Sequence, residues 1–255
     1  MHIWLNREGL DACLIDAGLS GIAYEGGLLL ENSCTREKLL EIYGLMYSHF
    51  GPRRWWPAEE PFEVIIGAIL TQFVSWKNAA AAIDNLKRRG LLSIDGICAE
   101  SGESLEELIK CTRFYKQKAR KLKVFCMHLK ERYGGKLDLL FDKDIWELRR
   151  ELLSLYGIGE ETADSIILYA AEKPIFVVDA YTRRIFGRLG IFKEDITYGK
   201  MQMFFMEKLE PDVRLYNEYH ALIDGVGNSY CSAKNPLCGG CPLNCICASY
   251  AGDLT

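Results

Sequence analysis

The sequence predicts an all-α protein. After Thr35, apolar residues recur at the spacing of a helix rather than in the alternation typical of a strand. Helix boundaries are also marked: Pro61 opens one periodic segment, Ser75 precedes the next as a capping residue, and Gly90 closes that segment. With 255 residues and 49% hydrophobic content, the chain can bury a core in one or two domains.

Helical periodicity defines the elements in order along the chain. The first segment places Leu39, Ile42 and Met46 on one face, and the third is rich in alanine, the best helix former. The predicted helices span residues 37–50, 61–72, 77–89, 104–110, 115–133, 143–155, 161–171, 180–189, 198–207 and 213–226. Residues 1–34 show no clear period and are predicted to be an N-terminal extension of unknown role.

A run of cysteines near the C-terminus indicates a metal site. The spacing is C-x6-C-x2-C-x5-C, and it favours a four-iron cluster over zinc, because most structural zinc sites use C-x2-C pairs. The predicted ligands are Cys231, Cys238, Cys241 and Cys247. Cys245 lies in the same stretch and could replace Cys247 or be a bystander.

Composition points to a soluble enzyme in a reducing compartment. Five of the ten cysteines fall within 17 positions, which favours metal ligation over a disulfide framework. No segment resembles a membrane span or a secretion signal, so we expect no membrane partner and a cytoplasmic location, associated with the nucleoid in a prokaryote. The net charge of −4 does not exclude a nucleic-acid partner, since the basic residues cluster between 110 and 132. That cluster is either a nucleic-acid surface or a solvated helix face.

The segment LYGIG at 155–159 predicts a hairpin between two helices. Gly157 and Gly159 allow a tight turn and close approach to a phosphate, while the N–H groups that open the following helix present a positive dipole end. An apolar run typical of a buried segment, residues 175–178, then leads to Asp179, which stands at the start of another predicted helix. The hairpin followed by the apolar run and Asp179 is a more specific functional signal than either feature alone.

The hairpin, the VVD segment at 177–179 and the cysteine run together resemble the endonuclease III superfamily of base excision DNA glycosylases. The resemblance implies a two-lobed helix–hairpin–helix fold with a [4Fe-4S] cluster in the C-terminal loop. Residues 35–60 and 175–255 would form the cluster lobe, and residues 61–174 a six-helix barrel lobe. The implied partner is double-stranded DNA containing a damaged base, bound by a monomer.

The resemblance also assigns roles to residues. Asp179 matches the catalytic carboxylate of the family, although its position also suits a helix N-cap. Glu161 stands where the family members that cut the DNA strand carry a lysine, which implies a monofunctional glycosylase without lyase activity. The positions that would contact DNA are Gln72, Gly157, Gly159, Glu161 and Thr162.

A base pocket is implied by a closer resemblance to the 3-methyladenine DNA glycosylases of endonuclease III type. It rests on the segment WWP at 55–57, on TQ at 71–72 and on Trp76. The predicted pocket residues are Trp55, Trp56, Phe73, Trp76 and Asn228. A cationic alkylated purine would stack well on indole rings.

Two departures from these relatives keep other functions open. Phe73 with Val74, and Asn228 near the cysteine run, replace residues common in the relatives and could rebuild the pocket for a neutral lesion such as uracil, hypoxanthine or an oxidised base. A bifunctional enzyme that uses another amine, and a non-catalytic iron–sulfur protein that binds DNA, are further alternatives.

Overall fold

The computed structural model describes residues 34–250 apart from residues 54, 57 and 59. Within these residues the secondary structure is helical, without strands, so the all-α prediction is confirmed. The α-helices are α1 (Arg36–Phe50), α2 (Pro61–Leu70), α3 (Trp76–Arg88), α4 (Ile94–Ala99), α5 (Gly102–Ile109), α6 (Tyr115–Tyr133), α7 (Leu137–Phe141), α8 (Ile145–Ser154), α9 (Glu160–Ser165), α10 (Ala180–Arg188), α11 (Tyr198–Lys208) and α12 (Val213–Ser229). The predicted N-terminal extension lies outside the described residues, except for Cys34.

The structure corrects the predicted elements at several places. Helices α4 and α7 are absent from the prediction because six and five residues are too few to show a helical period. Helix α2 ends at Leu70, since the Thr71 hydroxyl donates to the Gly67 carbonyl 2.9 Å away and the chain turns there. Helix α12 continues to Ser229, beyond the predicted end at residue 226, so Asn228 lies on this helix.

One buried helix organises the part of the chain before residue 175. Every residue of α2 from Glu63 to Leu70 is buried, and α2 packs against α3, α6 and the π-helical segment Ile166–Ala170 that continues α9. Helices α4 and α5 pack against α6, and α8 packs against α9. This packing fixes the loop after α2 and the hairpin before α9 on the same side of the molecule.

A second group of helices packs around aromatic residues. Helix α12 contacts α1 and α10, and the Phe176 ring stacks on Phe205 of α11 with centroids 4.1 Å apart. The two groups meet where α12 packs against the π-helical segment. Division into lobes at residues 60 and 175 stays a prediction. None of the helices among the described residues is long and apolar enough to cross a membrane.

Candidate active site

Asp179 is held by its own helix through one oxygen. It precedes α10, where its Oδ1 accepts hydrogen bonds from Thr182 N at 2.7 Å and from Thr182 Oγ1 at 2.8 Å. The other oxygen, Oδ2, lies 3.9 Å from Nε2 of His220. The capping role and the predicted catalytic role are therefore compatible, because each uses a different oxygen of the same carboxylate.

The segment before Asp179 is anchored in the core. Residues 175–178 are fully buried, and the Gln202 side chain donates to the Phe176 carbonyl at 2.8 Å. The same amide donates to Asp164 of α9 at 2.7 Å, and Asp164 also accepts from Arg149 at 2.7 Å. Burying these polar groups costs little free energy, because each of them is hydrogen-bonded. They fix the distance between the hairpin helix and Asp179.

The predicted pocket residues come together around a cavity of about 760 Å³ next to Asp179. Its walls include the three indoles of Trp55, Trp56 and Trp76, whose ring centroids lie 5.3–6.2 Å apart. Asn228 and Phe73 also line the cavity, and Phe73 has 80% of its surface exposed. Pro57, part of the predicted motif, lies outside the described residues.

Several residues of the cavity escaped the sequence prediction. His220 and Asp224 lie on α12, four residues apart, and Asn228 follows four residues later, so all three share one face of the helix. That spacing is the signal that could have found them. The hydroxyl of Tyr169, from the π-helical segment, bonds to His220 Nδ1.

Asn228 is partly engaged within the protein. Its Oδ1 accepts a hydrogen bond from the Tyr181 hydroxyl at 2.7 Å. Tyr181 in turn packs closely over Gly227, where a Cβ atom would lie 2.4 Å from the ring. Glycine at 227 therefore lets α10 and α12 approach closely enough to set Tyr181 and Asn228 side by side.

Glu161 shares the cavity with Asp179. Its side chain is accessible from the cavity but is closely surrounded by protein atoms. This desolvation, and secondly the charge of Asp179, raise the pKa of Glu161 from 4.5 to about 7. Burial likewise raises the pKa of Asp224. Two carboxyl groups of the cavity therefore have pKa values raised by burial, as is common at functional sites.

Glu161→Gln should stabilise the protein at high pH. Because the folded pKa lies above the unfolded value, the folded state holds a proton that the unfolded chain has lost, so stability falls as pH rises from 4.5 to about 7. We expect the variant to have a Tm higher by about 1–3 °C at pH 8, with no difference at pH 4. Thermal unfolding at both pH values measures this, and an equal difference at both would contradict it.

The hairpin is tied to the loop after α2. Gly157 has a positive φ of 78°, and a Cβ atom there would lie 2.2 Å from the side chain of Lys121. The Gln72 amide donates to the Gly157 carbonyl at 3.2 Å and to Thr162 Oγ1 at 2.8 Å, and it accepts from Lys121 Nζ. With Gly159, the residues predicted to contact DNA thus surround a second cavity of about 660 Å³, which Asp179 also lines.

The basic stretch of α6 divides between the core and the surface. Lys118 is 1% exposed and donates to the Leu70 carbonyl at 2.8 Å, and burial lowers its pKa to about 8. Arg113, Lys116 and Arg120 are exposed. The guanidinium of Arg120 lies 4.1 Å from the ring centroid of Tyr156 in the hairpin. Exposed positive charge therefore adjoins the hairpin, whereas Lys118 has a structural role.

The four predicted cysteine ligands line one cavity of about 110 Å³, which Cys245 does not line. Arg188 approaches the cavity, and its Nη1 donates to Cys231 Sγ at 3.2 Å and to the Ser232 carbonyl at 2.8 Å. Among the described residues, no group of three or more His, Cys, Asp or Glu side chains is arranged to hold a single metal ion. A four-iron cluster would bind one thiolate at each iron, so its four ligands need not converge on one ion.

Comparison with known proteins identifies the family. The model of the HhH-GPD superfamily of base excision DNA repair proteins matches residues 66–211. The chain belongs to this superfamily. A candidate DNA repair glycosylase from Methanocaldococcus jannaschii is 44% identical over 214 residues, which cover 84% of this chain and 97% of that relative.

Solved structures of HhH-GPD relatives share the fold. A trapped covalent complex of endonuclease III with DNA has a TM-score of 0.74 at 24% identity, over 84% of this chain and 96% of that one. The 3-methyladenine DNA glycosylase of H. pylori, bound to 1,N6-ethenoadenine, has a TM-score of 0.64 at 27% identity, over 74% of this chain and 94% of that one. The predicted superfamily and fold class are confirmed, and family and relatives support a DNA glycosylase of base excision repair.

Proposed function

We propose that this HhH-GPD protein is a monofunctional DNA glycosylase that hydrolyses the N-glycosidic bond of an alkylated purine in double-stranded DNA. The observation that carries the proposal is the placement of Asp179. One oxygen is fixed by the helix cap, and the other faces a cavity lined by three tryptophans. The side chain beside it at position 161 is a carboxyl group and not an amine.

The geometry of Asp179 suits hydrolysis. Breaking an N-glycosidic bond develops positive charge on the deoxyribose, and a fixed carboxylate in a confined site stabilises that charge. Oδ2 is also free to accept a proton from an attacking water molecule. Because Oδ1 is occupied by Thr182, the carboxylate does not need to reorganise as charge develops.

The surroundings of position 161 favour water over an amine as the nucleophile. Glu161 cannot form a Schiff base with the sugar. Two lysines among the described residues line the cavities, Lys77 and Lys121, and the amine of Lys121 is hydrogen-bonded to Gln72. Lys77 and Lys121 are therefore the amines to test for the bifunctional alternative.

The electrostatics of the cavity favour a cationic base. Its walls include three indole faces, which attract positive charge, and the carboxyl groups of Glu161, Asp179 and Asp224, which attract a cation only when they are ionised. A neutral lesion would need hydrogen-bonding groups instead, and the Asn228 carbonyl is already occupied by Tyr181. The similarity to the 3-methyladenine DNA glycosylase of H. pylori also supports an alkylated purine as the substrate.

A base-release assay tests the proposal. Duplexes carry 3-methyladenine, 7-methylguanine, uracil, hypoxanthine or 8-oxoguanine, and each is incubated with the protein and analysed with and without alkali. We expect strand breaks at the methylated purines only after alkali, and no protein–DNA adduct with borohydride. Breaks only at a neutral base would refute the substrate class. A borohydride adduct that Lys77→Ala or Lys121→Ala removes would show a bifunctional enzyme.

We also propose that the cysteine run holds a [4Fe-4S] cluster through Cys231, Cys238, Cys241 and Cys247. The four thiols share one cavity, and the guanidinium of Arg188 lies against one of them, as suits a thiolate of a negatively charged cluster. When bound, the cluster would cross-link the C-terminal loop. Arg188 and Arg184 hold the same loop to α10 through the carbonyls of Ser232 and Cys231.

Cys238→Ser should prevent assembly of the cluster. Replacing one thiolate removes one iron ligand, and we expect the iron content and the visible absorbance of the purified protein to fall severalfold, with a lower Tm. Cys245→Ser is the matched control, because Cys245 is exposed and does not line the cavity. Equal iron loss in both variants would contradict the proposed ligand set. Zinc in place of iron in the wild-type protein would contradict the cluster itself.

A further inference from the structure

One ring nitrogen of His220 is buried next to Asp179 and lacks a hydrogen bond. Nδ1 is bonded to the Tyr169 hydroxyl, whereas Nε2 is buried and has no hydrogen-bond partner among the described residues. Oδ2 of Asp179 lies 3.9 Å from this nitrogen. Burying a polar nitrogen without a partner costs free energy, so its persistence here points to a function.

Two packed elements hold the imidazole in this position. His220 lies on α12, and Tyr169 lies in the π-helical segment Ile166–Ala170, which packs against α12. The Tyr169 ring is buried, and its centroid lies 5.3 Å from that of Trp56 and 5.9 Å from that of His220. π-helical turns are rare and occur frequently at functional sites. The contacts of Tyr169 therefore keep Nε2 turned toward Asp179.

The burial of Nε2 limits what His220 can do. A group that protonates a departing base must come within hydrogen-bond reach of that base. His220 lines the cavity, but Nε2 itself is shielded, and Nδ1 is occupied by Tyr169. The ring is therefore placed to act on Asp179 and not directly on a bound base.

We infer that His220 is a positioning residue, whose Nε2–H donates a hydrogen bond to Oδ2 of Asp179 in the reacting complex. The inference rests on the proposed function, since it concerns the carboxylate that carries the chemistry. Thr182 already holds Oδ1, so donation to Oδ2 fixes the plane of the carboxylate. The donor also favours the ionised form of Asp179, which is the form that stabilises positive charge on the sugar.

The contact has room to shorten when substrate binds. Closing it from 3.9 Å to a usual hydrogen-bond length of about 2.9 Å requires a shift of about 1 Å. Hydrogen bonds between catalytic groups are often long in a free enzyme and tighten in the complex. Oδ2 keeps a second lone pair for the attacking water, because each carboxylate oxygen can accept two hydrogen bonds. Both the imidazolium and the neutral ring protonated at Nε2 can make the donation.

Other titratable or charged groups surround the pair, and a test based on pH has to separate them from Asp179. They come from each neighbouring element and are Arg53 after α1, Glu161 of α9, Tyr169 of the π-helical segment, Tyr181 of α10, and Glu218 and Asp224 of α12. Glu161 and Asp224 are the carboxyl groups among them that line the cavity.

The pH dependence of single-turnover base release tests the inference. We expect His220→Leu to move the acid limb, where release falls as Asp179 is protonated, upward by about 1–2 pH units, the equivalent of one hydrogen bond to a charged group. Release below the limb should then be slower by about 10- to 100-fold. His220→Gln keeps an N–H group at this position and should restore most of the shift. The shift should also persist when Glu161→Gln or Asp224→Asn is added.

His128→Leu is the matched control. His128 also contacts a carboxylate, since its Nε2 lies 2.7 Å from Oε1 of Glu151, but it lines neither cavity beside Asp179. This variant should keep the wild-type profile. An unmoved limb in His220→Leu, even with slower release, would make His220 structural and overturn the inference. A shift that disappears when Asp224→Asn or Glu161→Gln is added would assign the limb to that residue and would also overturn it.

Nuclear magnetic resonance of the imidazole nitrogens tests the contact without base release. The chain has four histidines, so the signals lost in His220→Gln identify those of His220. We expect a proton on Nε2 at neutral pH, and a change in the Nε2 signal in Asp179→Asn. A neutral ring protonated at Nδ1 alone would overturn the inference whatever the activity. The expected signals in a protein that releases no base would support the contact and refute the proposed function alone.

Discussion

Asp179→Asn is expected to reduce base release by at least about 10³-fold, because the charge that stabilises the developing cation is lost. The variant should still fold and bind DNA. Asparagine caps helices about as well as aspartate, and its side-chain oxygen can accept the same bonds from Thr182. Single-turnover base release, Tm and affinity for an abasic analogue together measure the three properties.

Asp144→Asn provides the matched control. Asp144 also caps a helix, since its Oδ1 accepts from Trp146 N at 2.8 Å and from Glu147 N at 3.1 Å, but it lines neither cavity beside Asp179. We expect this variant to release base at the wild-type rate. If Asp179→Asn lowered Tm and DNA affinity as much as activity, the role of Asp179 would be structural.

The sequence predicts those parts of the fold that depend on local patterns and misses those that depend on contacts between distant residues. Long helices such as α6 and α12 repeat their apolar period several times, so each is visible within its own residues. Helix α4 is six residues long and is marked mainly by Ser93, whose hydroxyl accepts from Gly96 N. An element so short depends on its packing against α6, which no local pattern reveals.

The active site divides in the same way. Asp179 and the tryptophans belong to compact segments with a recognisable spacing, and the structure places them around one cavity. The bond between Tyr169 and His220 joins residues 51 positions apart, and it exists because α12 packs against the π-helical segment. Lys118 is the opposite case. In the sequence it belongs to a basic run, but in the fold its amine binds the Leu70 carbonyl.

Glu161→Lys is expected to convert a hydrolytic site into one that forms a covalent intermediate. The new amine would lie beside Asp179 on the cavity wall, and its unprotonated form is a nucleophile that can form a Schiff base with the sugar. We expect a borohydride-trapped protein–DNA adduct at least about tenfold above the wild-type background. Denaturing gel electrophoresis of protein and labelled DNA measures it.

Glu160→Lys is the control that makes this result specific. Glu160 neighbours Glu161 but points about 100° away around the helix, where it pairs with Arg149 at 3.3 Å, and it does not line the larger cavity. It adds the same amine to the same helix turn, so a general gain in DNA affinity would affect both variants. An adduct with the lysine at 161 and none with the lysine at 160 means that position 161 faces the sugar and that its carboxyl group keeps the reaction hydrolytic. Adducts with neither would place the sugar out of reach of this helix, and the nucleophile would then have to be sought around Asp179 and His220.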